Sequence, residues 1–433
     1  AAKGGSEHAV QVLLDAKADV GEVNNENQTP FHLAAKLGHS TALKLLMESR
    51  APVDRKSRDA HDREDKTALH WAAESGHSEI MQLLIGAKAS IEALTCSRQT
   101  PVHLAASKGH RAALEVLLHS NASVDAHDDQ DMTPLHVAAA LGHSTAMQVL
   151  VSANASLDAR DREGRSALDV AARGGHREAI KVLVEAKAAL DVTDPDQRTP
   201  LHRAAMSGDA DSVQFLIEAA ACVDAQDKLG MTPLQAAARA GHTEVVQVLI
   251  DSKAMVDATN KFGWSALLWA AQAGHTATVK ALVDAKAMVD ARDSRTKKTS
   301  LHWAAWGGKE ALVRVLVDAG ASMDAKDESC MTPFHLSVDR SDNRGVIRML
   351  VEAKAYLDIG NESGVTPLHL AASQGHRDAV EILLNAKARV HIESADAETP
   401  LHCAASRDHD DAIRSLLRHV CQLPIVNEQS LTD

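Results

Sequence analysis

Residues 366–398 read TPLHLAASQGHRDAVEILLNAKARVHIESADAE, and this stretch decides the fold. Thr366 is a good helix N-cap because its hydroxyl accepts a hydrogen bond from a free backbone N–H, and proline suits the first helical turn that follows. Residues 368–374 then form a short helix with small alanines, and Gly375 permits a turn. Residues 377–386 carry apolar side chains at helical spacing, and the rest of the stretch is polar and turn-rich. The stretch therefore predicts two short helices followed by a loop.

The same pattern recurs through the whole chain. It begins with Thr or Ser at positions 29, 67, 100, 133, 166, 199, 232, 265, 299, 332, 366 and 399. Eight of the eleven intervals between these positions are 33 residues long, two are 34 and the first is 38. Repetition at a fixed period of this length is typical of a stacked array of similar structural units. Each repeat is identified below by its cap residue, and the loop directly before that residue is described with it.

The composition narrows the possible cores and partners. Hydrophobic residues make up 45% of the 433 residues, but only 4 Phe, 5 Trp and 1 Tyr provide large rings. Alanine, leucine and valine must therefore form the core, which favours closely packed helices. No run approaches the roughly eighteen apolar residues of a membrane span, so we expect no membrane insertion. The net charge of −13 argues against nucleic acid as the main partner.

The cysteines indicate the compartment. They are odd in number, far apart, and show neither a disulfide framework nor zinc spacing: Cys96, Cys222, Cys330, Cys403 and Cys421. This usage favours a reducing environment, so we expect an intracellular, cytoplasmic protein. The chain begins with AAKGG and no initiator Met, so we expect an excerpt whose targeting segment could lie outside it.

Thr-Pro-Leu-His, Ala-Ala, Gly-His and Leu-Leu recur together in register, and in this the chain resembles the ankyrin repeat family. The resemblance covers nearly the whole chain. It implies an all-α solenoid in which stacked helix–turn–helix units carry projecting β-hairpin loops. It divides the chain into a partial N-terminal repeat at 1–28, a solenoid of twelve repeats at 29–420 and a C-terminal tail at 421–433.

One position departs from the family pattern. The family usually places a left-handed glycine after the second helix, whereas this chain has mostly lysine there: Lys17, Arg50, Lys88, Asn121, Asn154, Lys187, Ala220, Lys253, Lys286, Gly320, Lys354 and Lys387. A left-handed lysine costs about 1–2 kcal/mol. Either each repeat accepts this strain or the turn is built differently, and the sequence leaves both open.

The 24 histidines invite a metal or catalytic interpretation, but their spacing opposes it. Nine occupy the fourth position of the Thr-x-x-His pattern and eight more follow the turn glycine. Equivalent residues in adjacent repeats lie roughly 8–10 Å apart, too far for two imidazoles to share one ion at about 2.0–2.1 Å each. The resemblance implies instead that the first histidine bridges the cap Thr and neighbouring loops by hydrogen bonds. Since no phosphate-binding or catalytic motif occurs, we expect no metal, no cofactor and no catalytic residue, and hence no enzymatic activity.

The resemblance places partner contacts on the concave face and hairpin tips, at positions three and one before the cap residue and seven and eight after it. These positions are polar in the early repeats and apolar in the middle of the chain. The predicted contact residues are Met206, Leu229, Met231, Phe262, Trp264, Trp306 and Met331. We therefore predict that the groove of repeats seven to ten binds an apolar or amphipathic segment of another protein.

The stretch KFGWSALLWAA at 261–271 holds one Phe and two Trp in a chain that is only 2% aromatic. Phe262 and Trp264 belong to a hairpin tip, where they either contact a partner or pack on Met231 or Trp306 to stiffen neighbouring hairpins. Trp269 occupies a helical position that is mostly packed in the other repeats, so we expect it in the core.

These observations predict a non-catalytic scaffold or adaptor that binds proteins through a preformed surface. Two alternatives remain open. The chain could be the regulatory repeat array of a larger enzyme or channel whose effector domain lies outside it. It could also be a permanent structural subunit of a large multi-protein complex.

Overall fold

The computed structural model describes residues 1–48, 60–340 and 343–422, with only the backbone of Cys421 and Gln422. These residues form 25 α-helices and one short 3-10 helix at Ala2–Gly4, and none of them lies in a strand. They fall into two compact units, residues 1–222 and residues 223 onward. The all-α solenoid predicted from the sequence is confirmed.

The described residues of the first unit form a single helix α1 followed by six helix pairs. The helices are α1 Glu7–Asp15, α2 Pro30–Leu37, α3 Ser40–Glu48, α4 Ala68–Ser75, α5 Ser78–Gly86, α6 Pro101–Ser107, α7 Arg111–His119, α8 Pro134–Ala140, α9 Ser144–Ser152, α10 Ala167–Gly174, α11 Arg177–Glu185, α12 Pro200–Ser207 and α13 Ala210–Glu218. Even-numbered helices are the first helices of their repeats and odd-numbered ones are the second.

In the part of the second unit that the structure describes, there are six further pairs. Its helices are α14 Pro233–Ala240, α15 Thr243–Asp251, α16 Ala266–Ala273, α17 Thr276–Asp284, α18 Ser300–Trp306, α19 Glu310–Asp318, α20 Pro333–Val338, α21 Arg344–Glu352, α22 Pro367–Ser373, α23 Arg377–Asn385, α24 Pro400–Ala405 and α25 Asp410–Gln422. Within each unit a first helix packs against its own second helix and against the first helix of the adjoining repeat. The close approach depends on small residues such as Ala237 and Ala238, which are fully buried.

The repeat at Thr133 shows how a first helix begins and how repeats are joined. The Thr133 hydroxyl accepts a hydrogen bond from the His136 backbone N–H at 3.4 Å, and His136 Nδ1 accepts one from the Thr133 N–H at 3.3 Å. Because Nδ1 accepts, the neutral ring carries its proton on Nε2, which donates to the Arg165 carbonyl of the next repeat at 3.0 Å. We call this Nε2 contact a histidine bridge. The same bridge is made by His32, His70, His103, His302, His335 and His369.

Three repeats have another residue at the bridging position, namely Asp169, Gln235 and Leu268. Gln235 reproduces both contacts, since its Oε1 accepts from the Thr232 N–H at 3.1 Å and its Nε2 donates to the Trp264 carbonyl at 3.1 Å. Asp169 reproduces only the first contact, and its second carboxylate oxygen is buried without a hydrogen-bond partner. Burial raises the pKa of Asp169 to about 6. The bridge therefore depends on a donor at this position.

The turns after the second helices answer the question that the sequence left open. Lys253 has φ 67°, and the same left-handed conformation occurs at Lys17, Lys88, Lys187, Lys286, Lys354 and Lys387. The Lys253 N–H donates to the Ile250 carbonyl at 2.9 Å and the Ala254 N–H to Leu249 at 3.0 Å, which terminates the helix. The strain of a left-handed lysine is thus accepted in repeat after repeat.

Candidate functional site

A tight turn positions the aromatic residues that precede Ser265. Asn260 Oδ1 accepts hydrogen bonds from the backbone N–H groups of Phe262 at 2.9 Å and Trp264 at 3.0 Å. Gly263 between them has φ 74°, and a Cβ there would lie 2.7 Å from the Ser294 backbone nitrogen. Glycine is therefore required in this turn. The turn leaves Phe262 exposed and Trp264 half-buried.

Four tryptophans of the second unit form one continuous cluster. The ring centroids of Trp264 and Trp269 are 4.5 Å apart, those of Trp264 and Trp303 are 5.4 Å apart, and those of Trp303 and Trp306 are 6.2 Å apart. Trp306 is 43% exposed, whereas the other three rings are half-buried. We call these four residues the tryptophan cluster. The rings therefore contact one another between adjacent repeats, and Trp306 presents apolar surface to solvent.

The other predicted contact residues differ in exposure. Leu229 is 42% exposed, Phe262 is 52% exposed and Met331 is half-buried. Met206 is 43% exposed but belongs to the first unit. Met231 is only 6% exposed, so it offers almost no surface to a partner.

Trp269 and Trp303 are the residues that the sequence interpretation missed. Trp269 was expected in the core, but it is half-buried and stacks on Trp264. Both tryptophans stand four residues after the cap residue, in adjacent repeats. Equivalent positions of adjacent repeats lie next to each other, so this shared position in the sequence could have predicted that the two rings lie side by side.

Two cations flank the tryptophan cluster. The Arg239 guanidinium lies 4.8 Å from the centroid of the Trp269 ring, and Lys298 Nζ lies 5.1 Å from that of Trp303. Neither cation forms an ion pair with any residue that the structure describes. The aromatic rings therefore provide their main electrostatic contact.

The same positions in the first unit are arranged differently around Trp71. Lys66 Nζ lies 4.5 Å from the Trp71 ring, but it also pairs with Glu64 and Glu74, each at 2.9 Å. Burial lowers the pKa of Lys66, but the hydrogen bonds to the two carboxylates outweigh this effect and raise it above its usual value. Here the chain itself neutralises the cation beside the ring.

Several buried donors at the tryptophan cluster lack acceptors. Trp71 Nε1 donates a hydrogen bond to Asp62 Oδ2 at 2.9 Å. Asp62 lies five residues before the cap residue Thr67, and the residue five before the cap residue Ser265 is Asn260. Neither Asn260 Nδ2 nor Trp269 Nε1 has a hydrogen-bond partner. An asparagine at this position thus leaves two donors unsatisfied where an aspartate satisfies the indole.

Trp303 Nε1 is also buried without a partner, for another reason. The equivalent acceptor is Asp293, whose Oδ2 already accepts from Thr296 Oγ1 at 2.6 Å and from the Lys298 N–H at 3.1 Å. The repeat at Thr299 has one extra residue in this loop, and the carboxylate is used to hold it.

The described residues suggest no metal centre or membrane segment. Within 1–48, 60–340 and 343–422, no three His, Cys, Asp or Glu side chains converge in a way that could hold a metal ion. In the same ranges, no helix combines the length and the apolar character needed to cross a bilayer.

Comparisons with known proteins agree with the repeat pattern. A family model described as "Ankyrin repeats (3 copies)" matches residues 1–95, 54–128, 102–194, 186–260, 253–327 and 301–396. A model described as "Ankyrin repeat" matches residues 396–428. Among solved structures, the human ASB11 ankyrin repeat domain is 30% identical in sequence, and the match covers 51% of this chain and 98% of that chain with a TM-score of 0.47. No curated protein matches the chain significantly.

Proposed function

Because the chain belongs to the ankyrin repeat family, we propose that it is a non-catalytic scaffold or adaptor that binds partner proteins. Ankyrin repeats are in general protein–protein interaction modules. The histidine bridges, and the reciprocal hydrogen bonds such as those between Thr133 and His136 at the start of the first helices, support the inference that the binding surface is formed before a partner binds. A preformed surface lowers the ordering cost of association.

The observation that carries the proposal is the exposed aromatic surface of the second unit. Phe262 is 52% exposed, Trp306 is 43% exposed, and Leu229 is 42% exposed at the position of the preceding repeat that is equivalent to Phe262. Folding alone gives little reason to expose large rings, and exposed apolar patches rimmed by polar residues often mark binding sites. Tryptophan is also enriched among residues that dominate binding energies. Together with Leu229, Trp264 and Met331 of the second unit, Phe262 and Trp306 form the proposed contact region.

An intracellular location forms part of the proposal. The thiols of Cys96 and Cys222 are exposed and free, and those of Cys330 and Cys403 are half-buried and free. Exposed free thiols in the described part of the chain support a reducing compartment.

Cross-linking mass spectrometry on native material identifies the partner and the residues that it contacts. We expect cross-links from lysines near the tryptophan cluster, such as Lys261 and Lys298, to another protein. Cross-links that lead only to a further region of the same polypeptide would instead support a regulatory array of a larger protein. The absence of any protein cross-link would contradict the proposed function.

Once a partner is identified, a double variant tests the contact region. Replacing Trp264 and Trp306 by Ala should abolish capture of that partner while the helical circular dichroism stays intact. Met255→Ala is the matched control, since Met255 is 54% exposed but lies outside the predicted contact positions. Unchanged capture by the double variant would refute the assignment of the contact region.

A further inference from the structure

Charge is distributed unevenly around the tryptophan cluster. Residues 228–240, 261–273 and 294–307 comprise the loop tips and first helices of three consecutive repeats. They contain no Asp or Glu, although the whole chain has a net charge of −13. Their basic side chains are Lys228, Arg239, Lys261, Arg295, Lys297 and Lys298. A basic region in an acidic protein attracts negatively charged partners to this place in particular.

The repeats at Thr67 and Thr299 both have a lysine directly before the cap residue and a tryptophan four residues after it. In the part of the chain that the structure describes, only the repeat at Thr67 also has carboxylates that pair with this lysine. Around Trp71, the residues three before and seven after the cap residue are Glu64 and Glu74, and both pair with the lysine. In the repeat at Thr299 the same two positions are Thr296 and Trp306. Lys298 therefore has the aromatic contact of Lys66 without its two carboxylates. A partner can supply them.

The rings and cations form a row within the second unit. Arg239 contacts Trp269, Trp269 contacts Trp264, Trp264 contacts Trp303, and Trp303 contacts Lys298. Cations thus stand at both ends of an apolar centre. Phe262 and Trp306 add exposed apolar surface beside it. We call these seven residues the aromatic-basic surface.

We propose that the aromatic-basic surface binds an acidic segment of a partner protein whose apolar side chains pack on the tryptophan cluster. The inference rests on the proposed protein-binding function and specifies the chemistry of the partner. Carboxylates on either side of the apolar side chains pair with Arg239 and Lys298. Ion pairs of this kind are strengthened because one face of each cation is already shielded from water by an indole ring.

Selection from a library of random 12-residue peptides displayed on phage, with the full chain as the target, tests the proposal. We expect the enriched peptides to carry a net negative charge and one or more aromatic or large aliphatic residues. Synthetic copies of these peptides, labelled with fluorescein, then give dissociation constants by fluorescence anisotropy. Binding should weaken as the NaCl concentration rises, since ion pairs at a partly exposed surface are screened.

Variants locate the binding to the aromatic-basic surface. Lys298→Glu and Arg239→Glu should each raise the dissociation constant by about tenfold or more, and Trp306→Ala should do the same. Lys36→Glu is the matched control, because Lys36 Nζ lies 3.9 Å from the Trp71 ring in the other unit. It should leave the dissociation constant unchanged. Circular dichroism confirms that each variant remains folded.

Several results would overturn the inference. These are enrichment of neutral or basic peptides, failure to enrich any peptide, and acidic peptides whose affinity is insensitive to Lys298→Glu and Trp306→Ala. A labelled 12-nucleotide single strand of DNA that binds more tightly than the acidic peptides would identify the surface as a nucleic-acid site instead. Peptides that bind elsewhere on the chain leave the general protein-binding function standing, whereas a native protein without cross-linked partners contradicts that function itself.

Discussion

At the scale of single residues, the fifth position before the cap residue decides whether a nearby tryptophan is satisfied. Asp62 holds its loop with one carboxylate oxygen and accepts the Trp71 indole N–H with the other. Asn260 holds its loop in the same way, but its amide nitrogen can only donate. Two donors, Asn260 Nδ2 and Trp269 Nε1, are left buried without acceptors. The two sites therefore differ in one side-chain atom, which is an acceptor oxygen in Asp62 and a donor nitrogen in Asn260.

We predict that Asn260→Asp stabilises the chain by about 1–2 kcal/mol. The new carboxylate oxygen accepts the Trp269 N–H as Asp62 accepts that of Trp71, and it removes a second unsatisfied donor. Buried aspartates such as Asp128 and Asp227 already occupy this position in other repeats, so the charge is compatible with the loop. Urea unfolding followed by circular dichroism measures the change.

The reciprocal substitution provides the control for this prediction. Asp128→Asn makes the same exchange in reverse in a repeat where Val137, not tryptophan, stands four residues after the cap residue. It leaves no indole unsatisfied, so its effect on the free energy of unfolding should be smaller. An Asn260→Asp variant no more stable than the native chain would show that the tryptophan donor is not the cause.

At the scale of elements, helices were predictable because their signals are local. The Thr-Pro start and the turn glycine predicted helices at 368–374 and 377–386, and the structure has Pro367–Ser373 and Arg377–Asn385. The exposure of Trp269 was not predictable from its own segment. It depends on Trp264 and, through that ring, on Trp303 in the next repeat. Contacts between repeats decide which rings of a site are covered, and a local pattern does not encode them.

The turns that end the second helices give an element-level prediction. Lys253→Gly should stabilise the chain by about 0.5–1 kcal/mol, because glycine adopts the left-handed conformation without the Cβ clash, partly offset by its greater freedom in the unfolded state. The measurement is the free energy of unfolding in urea. The effect should recur at other left-handed lysines, such as Lys286 and Lys354.

Lys280→Gly is the matched control for the turn variant. Lys280 is exposed within the second helix Thr276–Asp284, where its backbone is right-handed. The same substitution there should destabilise the chain by about 1 kcal/mol, because glycine is a poor helix former. Substitutions that lowered stability at both positions would show that the left-handed lysines are not strained.

At the scale of the whole molecule, the histidine bridges couple stability to pH. Burial lowers the pKa of His32, His70, His103, His136, His302, His335 and His369, reaching about 4 for His70 and His335. A ring whose pKa is lower in the folded than in the unfolded chain stabilises the fold above the unfolded pKa of about 6.5. This contribution is lost as the pH falls towards the folded pKa. Asp169 has the opposite sign, since its raised pKa favours the fold below about pH 4 and disfavours it as the pH rises through 6.

Because seven histidines act in the same direction and Asp169 alone opposes them at this position, we predict that the chain loses stability steeply between pH 6.5 and pH 4. For His70 the pKa difference corresponds to a loss on the order of 2–3 kcal/mol at pH 4.

Replacing His70 and His335 by Gln should reduce the loss, since Gln235 makes both contacts of the bridge and does not titrate. Thermal unfolding from pH 7.5 to 4 measures the effect, with His8→Gln on the exposed helix Glu7–Asp15 as the control. Carboxylates also contribute to acid unfolding, so the difference between the variant and the native chain isolates the histidines. If the double variant loses as much stability as the native chain over this range, the bridges do not cause the pH dependence.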